Sequence, residues 1–357
     1  MKSAFRLSLS LLVTTLFTVW AFRGTDWTAL WASMRAANYV WLLPYLGVLT
    51  LVHLARTLRW GCLLSGMQRV PFAQLNQASG IGFMMLLILP FRLGEFARPY
   101  LIARRSTIGR SAAMATVVLE RIVDGLSVAL LLKALLFFAP GETGEVGAVR
   151  LGSDLMLAIF GGGLLFLLFA RWQQPRAVRW VRAVLERVSP RAAEVGAASV
   201  DRFVGALRQL PGRGAALGFF AYTAVYWGLN GFGMFVLARA FDCSGAQTIG
   251  CTPIQVTLFQ AYVVLCVLVV GMMIPAAPGM VGTFQAFIKV GLGLFLPAQL
   301  VNTSGLAYAN VMWLCQTAQQ IILGLVLLSF SHLSFRDLAG RMQAEGVDGA
   351  RTTPVSG

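Results

Sequence analysis

The stretch Leu89-Pro-Phe-Arg-Leu-Gly-Glu-Phe-Ala-Arg-Pro99 follows a continuous apolar run, Ile81 to Leu89. The run carries the chain to membrane depth before the stretch begins. Pro90, Gly94 and Pro99 then interrupt the helix, and Arg92, Glu95 and Arg98 recur every three residues. A second cluster, Glu120-Arg121 with Asp124, sits inside the next apolar segment. A charged side chain near a bilayer centre costs roughly 2.5–3.5 kcal/mol on insertion scales. Apolar sequence keeps such groups where they pair or work. The two clusters therefore read as the core of a polar site inside a membrane protein.

Composition fits that reading. The chain has 357 residues, is 57% hydrophobic and 12% charged, and its mean hydropathy is +0.73. Crossing a hydrocarbon core of ~30 Å takes ~20 helical residues, and several apolar runs are that long. No segment of about ten residues alternates as a barrel strand does. The expected fold is all-α, a polytopic helical membrane protein. The net charge of +15 is mostly arginine, which suits cytoplasmic loops facing anionic lipid. No zinc spacing or aromatic-interleaved basic module points to nucleic acid. The five cysteines form no C-x-x-C, so neither metal binding nor thioredoxin chemistry is expected.

Charge placement gives a topology. Lys2 and Arg6 precede an apolar run from Leu7 to Phe22 that lacks a small-residue cleavage site. It reads as an uncleaved first helix with its N-terminus inside. A short loop with Trp27 and Trp31 leads to a second helix, about 39–60, which includes His53, read as a packing residue. Arg56, Arg59 and Arg69 read as markers of a cytoplasmic loop. Had segment 75–91 crossed fully, Arg92, Arg98, Arg104, Arg105 and Arg110 would lie outside. A re-entrant hairpin over about 75–105 keeps them inside. A helix over about 111–139 then carries Glu120, Arg121 and Asp124, with Glu120 about 14 Å from its start. Glu120 and Asp124, four apart, share a face.

The loop 140–153 reads as external. The next helix, about 154–171, holds Gly161-Gly-Gly163, which would allow close helix approach. Segment 171–213 has nine arginines against three acids. Two apolar stripes there, Val178/Val181/Leu185/Val188 and Val200/Phe203/Val204/Leu207, predict two amphipathic helices at the membrane interface. A further helix, about 214–240, leads to an outer loop with Cys243 and Cys251. These are a candidate disulfide, or two free thiols. The segment 255–273 ends at Ile274-Pro-Ala-Ala-Pro-Gly-Met-Val-Gly-Thr-Phe284, a second apolar run broken by Pro and Gly. A short apolar piece, 284–296, and a last helix, 304–330, follow. One domain over 1–340, with an amphipathic insert at about 172–212, and a cytoplasmic tail, 341–357, are expected. Interrupted segments in corresponding positions of two halves mark a transporter's central site and an inverted repeat.

Arg92, Arg98 and Arg121 are forked donors suited to phosphate. Glu95, Glu120 and Asp124 would balance them, or fix helix register as a buried ion-pair cluster. Pro278, Gly279 and Gly282 would expose backbone groups at the second break. No H-E-x-x-H, G-x-S-x-G or external acidic pair supplies an enzyme's machinery, so no catalytic residue, metal or cofactor is assigned.

Three motifs in order carry a family resemblance: Pro90-x-Arg92-x-Gly94-Glu95-x-x-Arg98, Ala115-Thr-Val-Val-Leu-Glu-Arg-Ile-Val-Asp124, and Pro275-x-x-Pro278-Gly279-x-x-Gly282-Thr283-Phe284. The chain resembles the lysylphosphatidylglycerol synthase transmembrane, flippase-like family, typified by the membrane domain of the multiple peptide resistance factor. The resemblance implies a flippase-like domain with re-entrant helices. A bacterial inner membrane is the expected location, and charge placement puts both termini on the cytoplasmic side. In the resistance factor a cytosolic aminoacyltransferase follows. The sequence ends at Gly357 without one, so lysyl transfer is not expected. The leading expectation is binding and translocation of a phospholipid or isoprenoid-linked lipid. The alternatives are an enzyme acting on a lipid-linked phosphate or sugar, and a non-transporting partner of a lipid-synthesis enzyme. A homo-oligomer is a further candidate assembly.

Overall fold

A computed structural model describes residues 12, 14–89, 94–138, 144–187, 189–207, 212–242, 253–273 and 278–331. Those residues are helical with no strand among them. Pro90, Arg92, Cys243, Cys251, Pro275 and the tail 341–357 lie outside the described residues.

Helix α1 covers 14–22. The expected loop at Trp27 and Trp31 is instead a helix, α2 (Trp27–Ala36). Asp26 caps it, its carboxylate accepting from the amides of Thr28 at 2.9 Å and Ala29 at 3.0 Å. That cap satisfies two of the amides that a helix start leaves unpaired. Helix α3 (Leu42–Leu64) is long and apolar enough to cross a membrane when counted from Tyr39.

The two helices flanking the break pack against each other. Helix α4 (Phe72–Ile88) ends just before it, and α5 (Ala97–Ala103) returns. A Cβ built at Gly82 meets the Arg98 side chain, and one at Gly94 meets the backbone of Met85 and Leu86. Ala78 and Ile102 line one crevice together. The pairs 78/102, 82/98 and 86/94 have one register, that of an antiparallel helical hairpin. Backbone contact this close needs glycine at position 94.

Helix α6 (Arg110–Phe137) pairs antiparallel with α7 (Gly144–Trp172). The expected external loop 140–153 is therefore shorter, since α7 starts at Gly144. The expected close approach at Gly161-Gly-Gly163 is also displaced. Gly163 makes ordinary contact with Ile122 at 3.6 Å, whereas a Cβ at Gly125 would overlap the Phe160 ring. Small residues matter where backbones meet, because packing rather than water exclusion holds helices together in lipid. Here the small residue is on α6. Two amphipathic helices follow, α8 (Gln174–Glu186) and α9 (Pro190–Leu207).

Helix α10 (Arg213–Ala238) packs along α3. Helices α11 (Leu258–Met272) and α12 (Thr283–Gly293) form the second hairpin. Thr257 and Gln260 cap α11 reciprocally, at 2.9 and 3.2 Å. The α-carbon of Val264 would lie 2.9 Å from a Cβ at Gly291, and Phe259 faces Phe295 at 6.2 Å, again antiparallel. The last helix, α13 (Ala298–Ser329), begins earlier than the expected 304 and contains a π-helical turn at Val301–Gly305.

The two hairpins enter the bundle from opposite ends. The base of the first is tied to the C-terminal end of α13: Gln77 donates to the Leu327 carbonyl at 3.0 Å, and Arg105 to that of Ser331 at 3.0 Å. The base of the second lies at the other end, where the Ile254 amide bonds the Phe241 carbonyl at 3.1 Å and Asn38 bonds Ala240 at 2.8 Å. Their inner ends meet, since α4 packs against the Pro278–Met280 turn at the tip of the second hairpin. Each hairpin has its own apolar core. Trp60, Ile81, Met84 and Tyr100 centre the first, and Val264, Ile288, Leu306 and Tyr308 belong to the second.

Candidate functional site

Four helices converge beneath the first hairpin. Helix α6 supplies Glu120 and Asp124, α5 supplies Arg98, and α3 supplies Arg56 and Arg59. Phe83 of α4 stands among them. Glu120 and Arg59 are 0% exposed, Arg98 2% and Asp124 3%. Glu120 lies ten residues into α6, about 15 Å along its axis. The charges are thus inside the bundle and not at its rim.

Arg59 holds the centre. Its guanidinium grips Asp124 in a fork, Nη1 to Oδ1 at 2.5 Å and Nη2 to Oδ2 at 3.1 Å, and also donates to Glu120 Oε1. Arg98 Nη1 lies 3.1 Å from Glu120 Oε2. Arg121 stands further off, 3.9 Å from Glu120 and 3.8 Å from Asp124. One carboxylate pair thus serves three arginines. Aromatic rings complete the cage. Arg98 lies over Trp60 at 4.2 Å and Phe83 at 4.8 Å, and Arg59 over Tyr226 at 4.8 Å. The Trp60 indole donates to Thr116 at 3.0 Å, which fixes its plane. Cation–π contact is worth about 2 kcal/mol or more when desolvated.

Arg56 differs from its neighbours. It is half-buried, its guanidinium lies 3.1 Å from the centre of the Phe83 ring, and no carboxylate among the described residues pairs with it. Several guanidinium nitrogens are also buried without a hydrogen-bond partner: Nε of Arg56, Arg59, Arg98 and Arg121, and Nη2 of Arg98. Each unsatisfied buried donor costs about 1–3 kcal/mol. His53, one turn from Arg56, bonds Asn76 at 2.8 Å.

The sequence-predicted set is partly assembled. Arg98, Glu120, Arg121 and Asp124 come together. Glu95 joins Arg98 and Arg121 around a cavity of only about 10 Å³, room for one water. Arg92 lies outside the described residues. Pro278, Gly279 and Gly282 belong to the other hairpin tip. The nearest atoms to a Cβ at Gly279 come from Val281 and Trp313, and those at Gly282 from Thr18 of α1. Gly279 and Gly282 have φ of +71° and +79°, a left-handed backbone that favours glycine. The Trp313 indole donates to the Gly279 carbonyl at 2.7 Å and holds the turn in place.

Arg56 and Arg59 read from the sequence only as markers of the following cytoplasmic loop, and the structure makes them part of the cluster. They lie within α3, one turn apart and facing α6. The signal available was their spacing: Arg56-x-x-Arg59 followed by Trp60 continues the face of His53, as a helix would. A large apolar cavity of about 710 Å³ lies away from the charges. It is lined by Trp20, Arg23, Leu132, Val267, Phe287 and Lys289. Its position on α6 is twelve residues beyond Glu120, about 18 Å.

Fold and site together define a multi-pass helical membrane protein with an arginine–carboxylate centre beneath a broken helix. The chain belongs to the family described as the lysylphosphatidylglycerol synthase TM region, which matches residues 7–324. Membership places it among membrane proteins related to lipid synthesis or flipping. No curated protein and no solved structure matches the chain.

Proposed function

We propose that the protein binds the phosphate of a membrane lipid at the buried arginine cluster and carries the lipid across the bilayer. The observation that carries this reading is the surplus of buried guanidinium donors. Among the described residues no carboxylate pairs with Arg56, and Arg98 keeps two buried N–H-bearing nitrogens without a hydrogen-bond partner. Buried polar groups are nearly always paired, and forked donors match phosphate oxygens. Arg56, Arg98 and Arg121 would hold the headgroup, and Arg92 is a further candidate contact. Glu120 and Asp124, held by Arg59, set the position of these arginines. Glu95 lines the entry.

The cavity at the cluster has room for about one water, so a headgroup would need it to widen. The first hairpin is the element that would open it, re-entering the membrane from the cytoplasmic side. The second hairpin would re-enter from the opposite side. Non-helical backbone at membrane depth is tolerated where protein or a water-filled cavity surrounds it, and the packing of α4 on the Pro278–Met280 turn would contribute to that surrounding. The apolar cavity suits lipid chains more than a phosphate, since only Arg23 and Lys289 among its named walls carry charge. The cluster therefore remains the headgroup site.

Native mass spectrometry in mild detergent tests the site. Wild-type protein retains an anionic lipid, and its mass separates a glycerophospholipid from an isoprenoid phosphate. Arg56→Gln and Arg98→Gln lose that lipid, while Arg56→Gln keeps the wild-type helical content and elutes as a single folded species. Equal retention by both variants overturns the site. Transport is tested in proteoliposomes with the retained lipid, where wild-type protein alters its sidedness and leaves its chemistry unchanged. A new lipid product would instead favour an enzyme.

A further inference from the structure

The α8–α9 pair is unlike the rest of the bundle. The two helices pack antiparallel: a Cβ at Gly196 meets Leu185 and lies 3.7 Å from Val181, and Gln174 bonds Asp201 at 2.7 Å. Ala177 and Val204 are buried between them. Helix α9 also packs on α6 and α7, so the pair is fixed to the bundle. The opposite face of α8 is uncovered. Arg176, Arg179, Arg182 and Arg187 are exposed there, and none forms an ion pair among the described residues. Trp180 is 60% exposed and Trp172, which ends α7, is 81% exposed.

The height of this face is set by one ring pair. Trp180 packs against Phe166 at 6.0 Å. Phe166 is six residues before the end of α7, about 9 Å back along the helix. Helix α7 is one of the spans long and apolar enough to cross a membrane. Helix α8 therefore folds back beside the last turns of a span, and does not project away from it. Arginine and tryptophan at that height match the headgroup layer, where indoles settle and cations meet anionic lipid.

We propose that the exposed face of α8 is a docking surface for anionic lipid headgroups, with Arg176, Arg179, Arg182 and Arg187 as the contacts and Trp172 and Trp180 as interfacial anchors. This goes beyond the buried site and does not depend on it. Net positive charge facing a negatively charged leaflet attracts; the same face against zwitterionic lipid gains little.

Hydrogen exchange of the full chain in nanodiscs tests the surface. The discs contain either phosphatidylcholine alone or phosphatidylcholine with phosphatidylglycerol. Amides of 174–187 should exchange roughly tenfold or more slowly in the anionic discs, and raising the salt to about 0.5 M should remove most of the difference. Replacing the four arginines (Arg176→Gln, Arg179→Gln, Arg182→Gln and Arg187→Gln) should abolish it, while amides of α3 and α13 stay protected. Equal exchange in the two discs overturns the proposal. So does a difference that survives in the variant or in high salt. Lipid retention at the buried cluster can fail without affecting this outcome.

Discussion

At the scale of single residues, the arginines of the cluster divide by what they touch. Arg59 spends its donors on Glu120 and Asp124, and removing one partner of a buried charged set typically costs 3–5 kcal/mol. Arg59→Gln should therefore lower stability by about 3 kcal/mol, seen as a lower melting temperature in detergent. Arg56 lies against the Phe83 ring and pairs with no carboxylate among the described residues. Arg56→Gln should remove bound lipid and lower the melting temperature by no more than the loss of that lipid accounts for, less than Arg59→Gln does. If Arg56→Gln melts as early as Arg59→Gln, the division is wrong. The sequence exposed the acidic half of this site, because Glu120 and Asp124 stand alone in apolar surroundings. Arg56 and Arg59 were hidden by position. They sit near the end of a helix, with Arg69 just beyond, and arginines there look like the rim of a cytoplasmic loop. Only packing against α6 turns them inward, and that contact is 61 residues away in sequence.

At the scale of elements, each break depends on a glycine for a different reason. Gly94 lets the returning chain lie against the backbone of Met85 and Leu86. A methyl group there has no flexible neighbour to displace. Gly94→Ala should open the first hairpin, at a cost of at least about 1–3 kcal/mol, and reduce folded yield in detergent chromatography. Gly282 combines φ of +79° with Thr18 N at 2.6 Å from a built Cβ. Gly282→Ala should therefore loosen α1 from the second hairpin. Cleavage by trypsin at Arg23, just past α1, would speed up; an unchanged rate would count against a link between α1 and the tip. Both breaks were legible, because Pro and Gly interrupt apolar runs. Helix α2 was not. Its ten residues lack a long apolar run, and the deciding cue is the Asp26 cap, a local hydrogen bond with no hydropathy signature. The close approach at Gly125 was equally hidden. A triple glycine in α7 drew the eye, but which glycine faces a partner depends on how α6 and α7 are rotated.

At the scale of the molecule, the arrangement rests on two hairpins whose bases lie at opposite ends of the bundle. Helix α13 runs between them: its π turn meets α2 through a Ser33–Ser304 hydrogen bond of 2.9 Å, and its far end receives Gln77 and Arg105. Charge counting on the sequence already suggested opposite openings. The meeting of the tips was not readable, since it depends on α4 packing along α13. A sidedness measurement tests the whole scheme. Gly109 at the base of the first hairpin is exposed, with nothing within 4 Å of a built Cβ. Ala298, beyond the second hairpin, is exposed as well. Gly109→Cys and Ala298→Cys, each in a chain whose five native cysteines are replaced, should react from opposite sides of the membrane. An impermeant maleimide added to intact cells should label Ala298→Cys at once, and Gly109→Cys only after permeabilisation. That order is expected because arginine-rich loops tend to stay on the cytoplasmic side. Labelling of both from one side would mean that the hairpins do not enter from opposing faces. An alternating path between them would then lose its geometric basis.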